Sequence, residues 1–148
     1  MIEIKPFVVS ESLPKMVDLM NAHWTETEWD VCAQGPNPSV EMYKTVEMAN
    51  QVVAFAAYDD GEMVGYITMF VYPHLHYGAM FGAHDTLFVR KDMRRGTVGI
   101  RLMSAAKTEA RARGAKFIAW HAKPNSSMDL ILQARHCTAA ETVYLERF

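Results

Sequence analysis

The stretch VRKDMRRGTVGIRLM, residues 89–103, restricts the fold of this chain more than any other part of it. An apolar strand pattern leads into the stretch, Gly96 and Gly99 follow, and an amphipathic helical pattern leads out of it. The start of a helix has unpaired amide groups and a positive dipole end, so a helix entered through glycines favours an anion. Arg94 and Arg95 add charge and donors that suit a phosphate. The sequence therefore predicts a local anion site between a strand and a helix.

Two better-known phosphate motifs do not match this stretch. A P-loop requires GxxxxGK followed by Ser or Thr, and a dinucleotide-binding turn requires GxGxxG in an early parallel βαβ unit. Neither spacing occurs here. From the residues alone, a second interpretation stays open, in which Gly96 only serves the turn and the arginines are solvated.

Hydrophobic periodicity over the rest of the chain predicts the element order β-α-α-β-β-β-α-β-α-β. Strand-like alternation covers residues 2–9, 52–59, 62–72, 83–90, 116–122 and 141–148, and helical spacing covers residues 12–29, 39–51, 99–113 and 125–136. The predicted N-caps are Ser12, Ser39 and either Asn125 or Ser126. This order indicates an α+β domain with mostly antiparallel strands and one parallel pair, formed where a helix crosses over after Asp85.

Composition argues against several classes of protein. The chain has 148 residues, is 50% hydrophobic and carries a formal charge of −2, which disfavours nucleic acid or an anionic membrane as the main partner. It lacks a run of about 18 apolar residues, and its start does not resemble a signal peptide, so we expect a cytoplasmic protein. Cys32 and Cys137 match neither a CxxC metal pattern nor a disulfide framework. His74 and His76 lack a third ligand candidate, so we expect no metal.

Residues 87–115, LFVRKDMRRGTVGIRLMSAAKTEARARGA, resemble the main acetyl-CoA-binding motif of the GNAT family of N-acetyltransferases. That motif consists of an apolar strand ending in Val, a loop with RxxGxG or RxxGxA, and a helix. Arg94 takes the Arg position and Gly99 the last Gly position, whereas Thr97 stands where a middle Gly is usual. A small Thr leaves its backbone N–H available, so we interpret Thr97 as a variant of the motif.

The resemblance implies a fold, a cosubstrate and a set of binding residues. The implied fold is one domain over residues 1–148, with a GNAT-like mixed sheet of six to seven strands, one central parallel pair and about four helices. The implied cosubstrate is acetyl-CoA, with its pyrophosphate at the loop and its pantetheine amides along the end of the fourth strand. The implied binding residues are Leu87, Phe88, Val89, Arg94, Arg95, Gly96, Thr97, Val98, Gly99, Ile100 and, at the start of the later helix, Asn125.

The resemblance also implies that an amine attacks the thioester carbonyl directly, while the protein positions the reactants and removes a proton. The family often carries a Tyr in the later helix that protonates the departing thiolate, and Leu132 stands at that position here. Asp85 is the first candidate base. His84 is the second, because its reference pKa near 6.5 suits proton transfer, and Tyr144 is an available phenol.

Strict alternation along the fourth strand would place the side chain of Asp85 on the face shared by Leu87 and Val89. The acceptor amine, of a small molecule or a protein, is expected near residues 23–29, Tyr43 and residues 72–81, where aromatic side chains are dense, although the tryptophans there would equally suit the core. A catalytically silent acyl-CoA-binding sensor or structural protein on the same fold is the alternative. We expect acetyl-CoA and an amine as partners, no nucleic acid or membrane, and a homodimer as one option.

Overall fold

The computed structural model describes residues 1–28, 34–94 and 96–148. Its sheet consists of five strands in the order β1 to β5. The strands are β1 (Glu3–Pro6), β2 (Val52–Asp59), β3 (Glu62–His74), β4 (Ala79–Val89) and β5 (Phe117–Ala119). The α-helices are α1 (Val9–Ser12), α2 (Val17–His23), α3 (Val40–Met48), α4 (Val98–Ala112) and α5 (Ser127–Ala134). Short 3-10 turns span Leu13–Lys15 and Lys91–Met93, and a π-helical turn spans Trp24–Glu28.

The sheet confirms the predicted α+β class with one parallel pair, although this pair lies at the edge of the sheet and not at its centre. Strands β1 to β4 pair antiparallel in chain order, and β4 pairs parallel with β5 from Phe81 opposite Phe117 to Ala83 opposite Ala119. The count of five strands is lower than the predicted six to seven. The predicted strand over residues 141–148 is wrong, since these residues form no strand and are exposed. A segment with an alternating pattern forms a strand only where the edge of a sheet has main-chain groups free to pair with it. The outer strand β5 is only three residues long.

The N-terminal segment turns into a helix earlier than predicted. Strand β1 ends at Pro6, and α1 begins at Val9 without a side-chain cap from its own N-cap residue. Glu47 of α3 takes that role, because its carboxylate accepts the N–H groups of Val9 at 2.8 Å and Ser10 at 3.2 Å. Helix α1 is thus capped by a residue distant in sequence, and the local sequence around α1 does not predict this cap.

Two predicted caps are confirmed and one is wrong. The Ser39 hydroxyl accepts the Met42 N–H at 3.2 Å at the start of α3. At α5 the cap is Ser126, which accepts the Asp129 N–H at 3.2 Å. Ser12 makes no capping hydrogen bond, because α1 already ends there.

Helices cover both faces of the sheet. Helix α4 packs its face of Leu102, Met103, Ala106 and Ala110 on β2 and β3, and α5 adds Leu132 to this main core. On the opposite face, Val9, Leu13 and Met16 pack against Ala54, Tyr66 and Phe88. We call these the α4 face and the α1–α3 face. Alternate residues of each strand point to one or the other.

Candidate functional site

A β-bulge at Asp85 changes the faces that the β4 side chains occupy. Met69 of β3 lies opposite His84 and Thr68 lies opposite Thr86, so Asp85 is an extra residue in the register between β4 and β3. An extra residue reverses the alternation on one side of the bulge. His84 therefore lies on the α4 face with Met69, whose side chain belongs to the main core.

Asp85 lies on the α1–α3 face. Its Oδ2 accepts a hydrogen bond from the Thr68 hydroxyl at 3.0 Å, and that hydroxyl also lies 2.6 Å from the Thr86 hydroxyl. The expectation that Asp85 shares a face with Leu87 and Val89 is wrong, because it assumed alternation without a bulge. The carboxylate of Asp85 is exposed, whereas Thr68 is 3% exposed.

Tyr43 of α3 lies in the field of this carboxylate. Burial raises the pKa of Tyr43 to about 12, and the negative charges of Asp85 and Glu47 add to the shift. The phenol is therefore protonated throughout the physiological pH range. The predicted acceptor residue Tyr43 and the predicted base Asp85 are thus brought to one face of the sheet.

His84 has a different environment from its neighbour. Its side chain is 5% exposed, and its ring centroid lies 5.6 Å from that of Trp120. Within residues 1–28, 34–94 and 96–148, neither ring nitrogen has a partner of hydrogen-bonding geometry. Burial lowers the pKa of His84 to about 4, and the charges of His121 and His23 contribute, partly opposed by nearby backbone groups. The ring is neutral at pH 7 and accepts a proton only at considerable cost.

A gap opens between β4 and the chain that follows β5. Pairing of the two strands ends at Ala83 and Ala119, while β4 continues to Val89. Arg90 donates its N–H to the Val64 carbonyl of β3 at 2.8 Å. Because main-chain groups alternate in direction, those of Leu87 and Val89 point away from β3 and into the gap. The Val89 carbonyl at this predicted pantetheine-binding edge already accepts a hydrogen bond from Arg94 Nε at 2.7 Å, whereas no such bond is recorded for the Leu87 main chain in the described residues.

His121 lies at the closed end of this gap, a position that sequence reasoning missed. Its Nδ1 lies 2.6 Å from the carbonyl oxygen of His84. Ile118, Trp120 and Ala122 pack into the main core, so His121 is the polar residue on the other face of this segment. A polar residue interrupting an otherwise buried strand pattern was the signal that could have identified it.

The predicted anion site lies at the start of α4. Thr97 is its N-cap and makes no capping side-chain bond, and the first helical bond runs from the Arg101 N–H to the Thr97 carbonyl at 2.8 Å. The amides of residues 98–100 precede that bond and have no partner within the helix. Gly96 has a φ of 122°, a backbone conformation that favours glycine. These features fit a pyrophosphate, and we call residues 96–100 the anion cradle. Arg95 lies outside the described residues.

The Arg94 side chain is not directed into the anion cradle. Its Nε donates to the Val89 carbonyl at 2.7 Å, and its two terminal nitrogens bind the Glu26 carboxylate, one of them at 2.8 Å. The guanidinium also lies 5.2 Å from the centre of the Phe88 ring. The hydrogen bond from Arg94 lowers the pKa of Glu26, although burial opposes it. Arg94 thus ties the π-helical turn to the end of β4.

The other predicted site residues are dispersed. Asn125 has a φ of 62° and donates its N–H to the Asp129 carboxylate at 2.7 Å, which stabilises the turn before α5. Tyr144 is 89% exposed in the segment that forms no strand, and the structure does not bring it to Asp85. Leu132 is 9% exposed in the main core, as an apolar residue there should be.

The predicted acceptor aromatics divide into two groups. His23 is 6% exposed, its Nδ1 lies 2.9 Å from the Tyr66 hydroxyl and its ring stacks on Phe88, so it belongs to the core. At the β3–β4 turn, the rings of His74 and Tyr77 stack at 4.5 Å. Trp29 lies outside the described residues. Across the described chain, no three His, Cys, Asp or Glu side chains are grouped as metal ligands.

Comparison with known proteins establishes the class of this protein. The model of the Acetyltransferase (GNAT) family matches residues 16–131, a stretch that includes β2 to β5 and the anion cradle. By class the chain is an acyl-CoA N-acyltransferase. It belongs to the GNAT family, whose cosubstrate is acetyl-CoA. No curated protein matches the sequence.

Solved structures share the fold at low sequence identity. A ribosomal-protein-alanine N-acetyltransferase from Brucella melitensis biovar Abortus 2308 is 17% identical, with a TM-score of 0.72 over 100% of this chain and 99% of that one. The aminoglycoside acetyltransferase HMB0005 from an uncultured soil metagenomic sample is 20% identical, with a TM-score of 0.72 over 100% and 97%. AAC(6')-Iy, solved with a CoA-containing bisubstrate analogue, is 17% identical, with a TM-score of 0.69 over 100% and 98%. At these identities the likeness concerns the fold.

Among the helices in the described part of the chain, none combines the length and the apolar character that a membrane span requires.

Proposed function

We propose that this protein transfers the acetyl group of acetyl-CoA to a primary amine of a small molecule or a protein by direct attack. The observation that carries the proposal is the gap beside β4, which opens next to the anion cradle. Amides of residues 98–100 would hold the pyrophosphate, and the main chain of Leu87 and Val89 would hold the pantetheine arm. Holding both reactants in one geometry supplies much of the rate enhancement in such a transfer.

Asp85 is the proposed base. It is exposed on the α1–α3 face, and its carboxylate is oriented by Thr68. His84 suits the role less well, because it is buried on the opposite face, away from the acceptor side. Asp85 would take the proton from the ammonium group of the acceptor, directly or through a water molecule.

The acceptor would approach over the α1–α3 face. Asp85 supplies an exposed negative charge on this side, and Tyr43 supplies a phenol that stays protonated. An exposed carboxylate favours a cationic acceptor, which agrees with an amine. The amine-containing acceptors named for the structural relatives, an aminoglycoside and a ribosomal protein alanine, have the same chemistry.

Release of free thiol tests the proposal. The purified protein is incubated with acetyl-CoA and a panel of polyamines, aminoglycosides and peptides with a free N-terminus, and the CoA thiol is quantified over time. We expect release that depends on the amine. Binding of CoA by calorimetry, without release on any amine, would instead support the silent acyl-CoA-binding sensor. Absence of CoA binding would contradict both.

A further inference from the structure

The reaction needs a proton donor for the departing sulfur. Loss of a thiolate from the tetrahedral intermediate is easier when sulfur is protonated as the bond breaks. Leu132 has no acidic group and is packed in the main core, and Tyr144 is exposed in the C-terminal segment. A donor must therefore come from another element that borders the gap.

The closed end of the gap is where the thioester belongs. The anion cradle follows the end of β4, and the gap runs back along β4 from Val89 to His84. At ~3.3 Å per residue this distance is about 16 Å, a length for an extended chain rather than a compact group. An arm that is anchored at the cradle and paired with Leu87 and Val89 thus places its reactive end near His84 and Asp85.

His121 is the polar side chain that borders this end from the β5 side. A carbonyl oxygen only accepts, so the 2.6 Å contact with the His84 oxygen means that Nδ1 of His121 carries a hydrogen. The bond fixes the ring and leaves Nε2 at its other edge, where it can carry a second proton. His121 is exposed, so it can exchange protons with water, in contrast to the buried ring of His84.

We propose that His121 is the catalytic acid that gives a proton to the CoA sulfur. The proposal rests on the acetyl transfer proposed above. The amine lone pair forms the C–N bond, and the surplus proton of the nitrogen passes to Asp85 or water. When the C–S bond breaks, its electron pair stays on sulfur, which takes the Nε2 proton of the His121 imidazolium. The neutral ring is then protonated again by water, so no further reactant is consumed.

The charges around His121 are compatible with this role. The ring of His84 from β4 lies 6.4 Å away between centroids, and its pKa of about 4 keeps it neutral, so it does not repel an imidazolium at pH 7.

The thiol of bound CoA reports on His121 without any amine. The pKa of this thiol is measured from thiolate absorbance in wild-type protein and in His121→Gln, His121→Ala and His136→Gln, with CoA affinity measured in parallel. An imidazolium beside the sulfur favours the thiolate. We expect the two His121 variants to raise the thiol pKa by about one unit, a tenfold change in its ionisation constant, and His136→Gln, an exposed control, to leave it unchanged. Equal thiol pKa values in wild type and His121→Gln, with CoA bound to both, would overturn the assignment.

Kinetics separate proton donation from positioning. Gln can keep the hydrogen bond to the His84 carbonyl but cannot hold a proton for transfer, whereas Ala loses both. We expect both variants to lower kcat by about 100-fold, with KM for acetyl-CoA changed by no more than about twofold. Recovery of wild-type kcat by His121→Gln would show that the ring only positions the main chain. Failure of wild type to bind CoA would refute the acetyl-transfer proposal itself.

Discussion

The two ends of the β4 gap are built in different ways. At the anion cradle, the groups proposed to bind are main-chain amides of α4, and their positions follow from a helix that begins after Gly96. At the bulge, the relevant groups are the side chains of Asp85, His84 and His121, whose directions depend on one extra residue in β4. The position of a site made of main-chain groups can thus be predicted from local sequence. The position of a site made of side chains depends on the register between strands that are distant in sequence.

The largest expected effect tests the catalytic end. Asp85→Asn should lower kcat by about 100-fold or more, because general base catalysis contributes factors of ~10² to 10⁴. CoA affinity should stay near the wild-type value, since the amide can still accept from Thr68 and the cradle is untouched. The measurement is steady-state thiol release together with CoA binding by calorimetry.

Asp60→Asn is the matched control for this variant. Asp60 is exposed in the β2–β3 turn with a φ of 48°, a conformation that Asn tolerates. It should retain wild-type kcat. A full-rate Asp85→Asn enzyme would remove the base from this end of β4 and leave proton removal to water.

The next effect concerns the buried neighbour, His84. Its folded pKa of about 4 lies below the unfolded value of 6.5, so the unfolded state binds a proton first as the pH falls. The associated stability is present above pH 6.5 and is lost as the pH approaches 4. Between pH 7 and pH 5 this amounts to roughly 2 kcal/mol in the free energy of unfolding. His84→Leu, which has similar volume and no unpaired nitrogens, should lose much less over that range.

Chemical denaturation at pH 7 and pH 5 measures this difference. His136→Leu, at an exposed position, should keep the wild-type pH dependence and so serves as the control. If His84→Leu shows the same loss as wild type, the ring of His84 is accessible to protons in the folded state, and the distinction drawn between His84 and Asp85 fails.

The contrast between the two ends explains what the sequence could predict. The glycines and the amphipathic pattern after Val89 were sufficient to place α4 and its free amides. The bulge at Asp85 left no local signal, because alternation of apolar and polar residues does not show where a strand contains an extra residue. Likewise, the capping of α1 by Glu47 joins residues about forty positions apart, beyond the reach of any local pattern. The exposed residues 141–148 alternate like a strand, but alternation does not supply a partner edge.

The smallest effect tests whether the cradle end depends on side chains at all. Arg94 gives its Nε to the Val89 carbonyl and its terminal nitrogens to Glu26. We therefore expect Arg94→Ala to lower the free energy of unfolding by about 1 kcal/mol, combining one hydrogen bond with a half-exposed ion pair. CoA affinity should fall by less than about threefold, since backbone amides at the helix start hold the pyrophosphate.

Glu26→Gln is the informative companion variant, because it removes the charge of the partner and keeps Arg94. The pKa of Glu26 is lowered in the folded protein, so the ion pair stabilises at neutral pH and this stabilisation is lost as the pH falls through that lowered value. Both variants should therefore differ from wild type less at acidic pH than at pH 7 in thermal melts. A tenfold loss of CoA affinity in Arg94→Ala, with none in Glu26→Gln, would mean that Arg94 exchanges Glu26 for a phosphate when CoA binds. The cradle end would then combine main-chain and side-chain recognition, and the two ends of the gap would differ less than the free structure indicates.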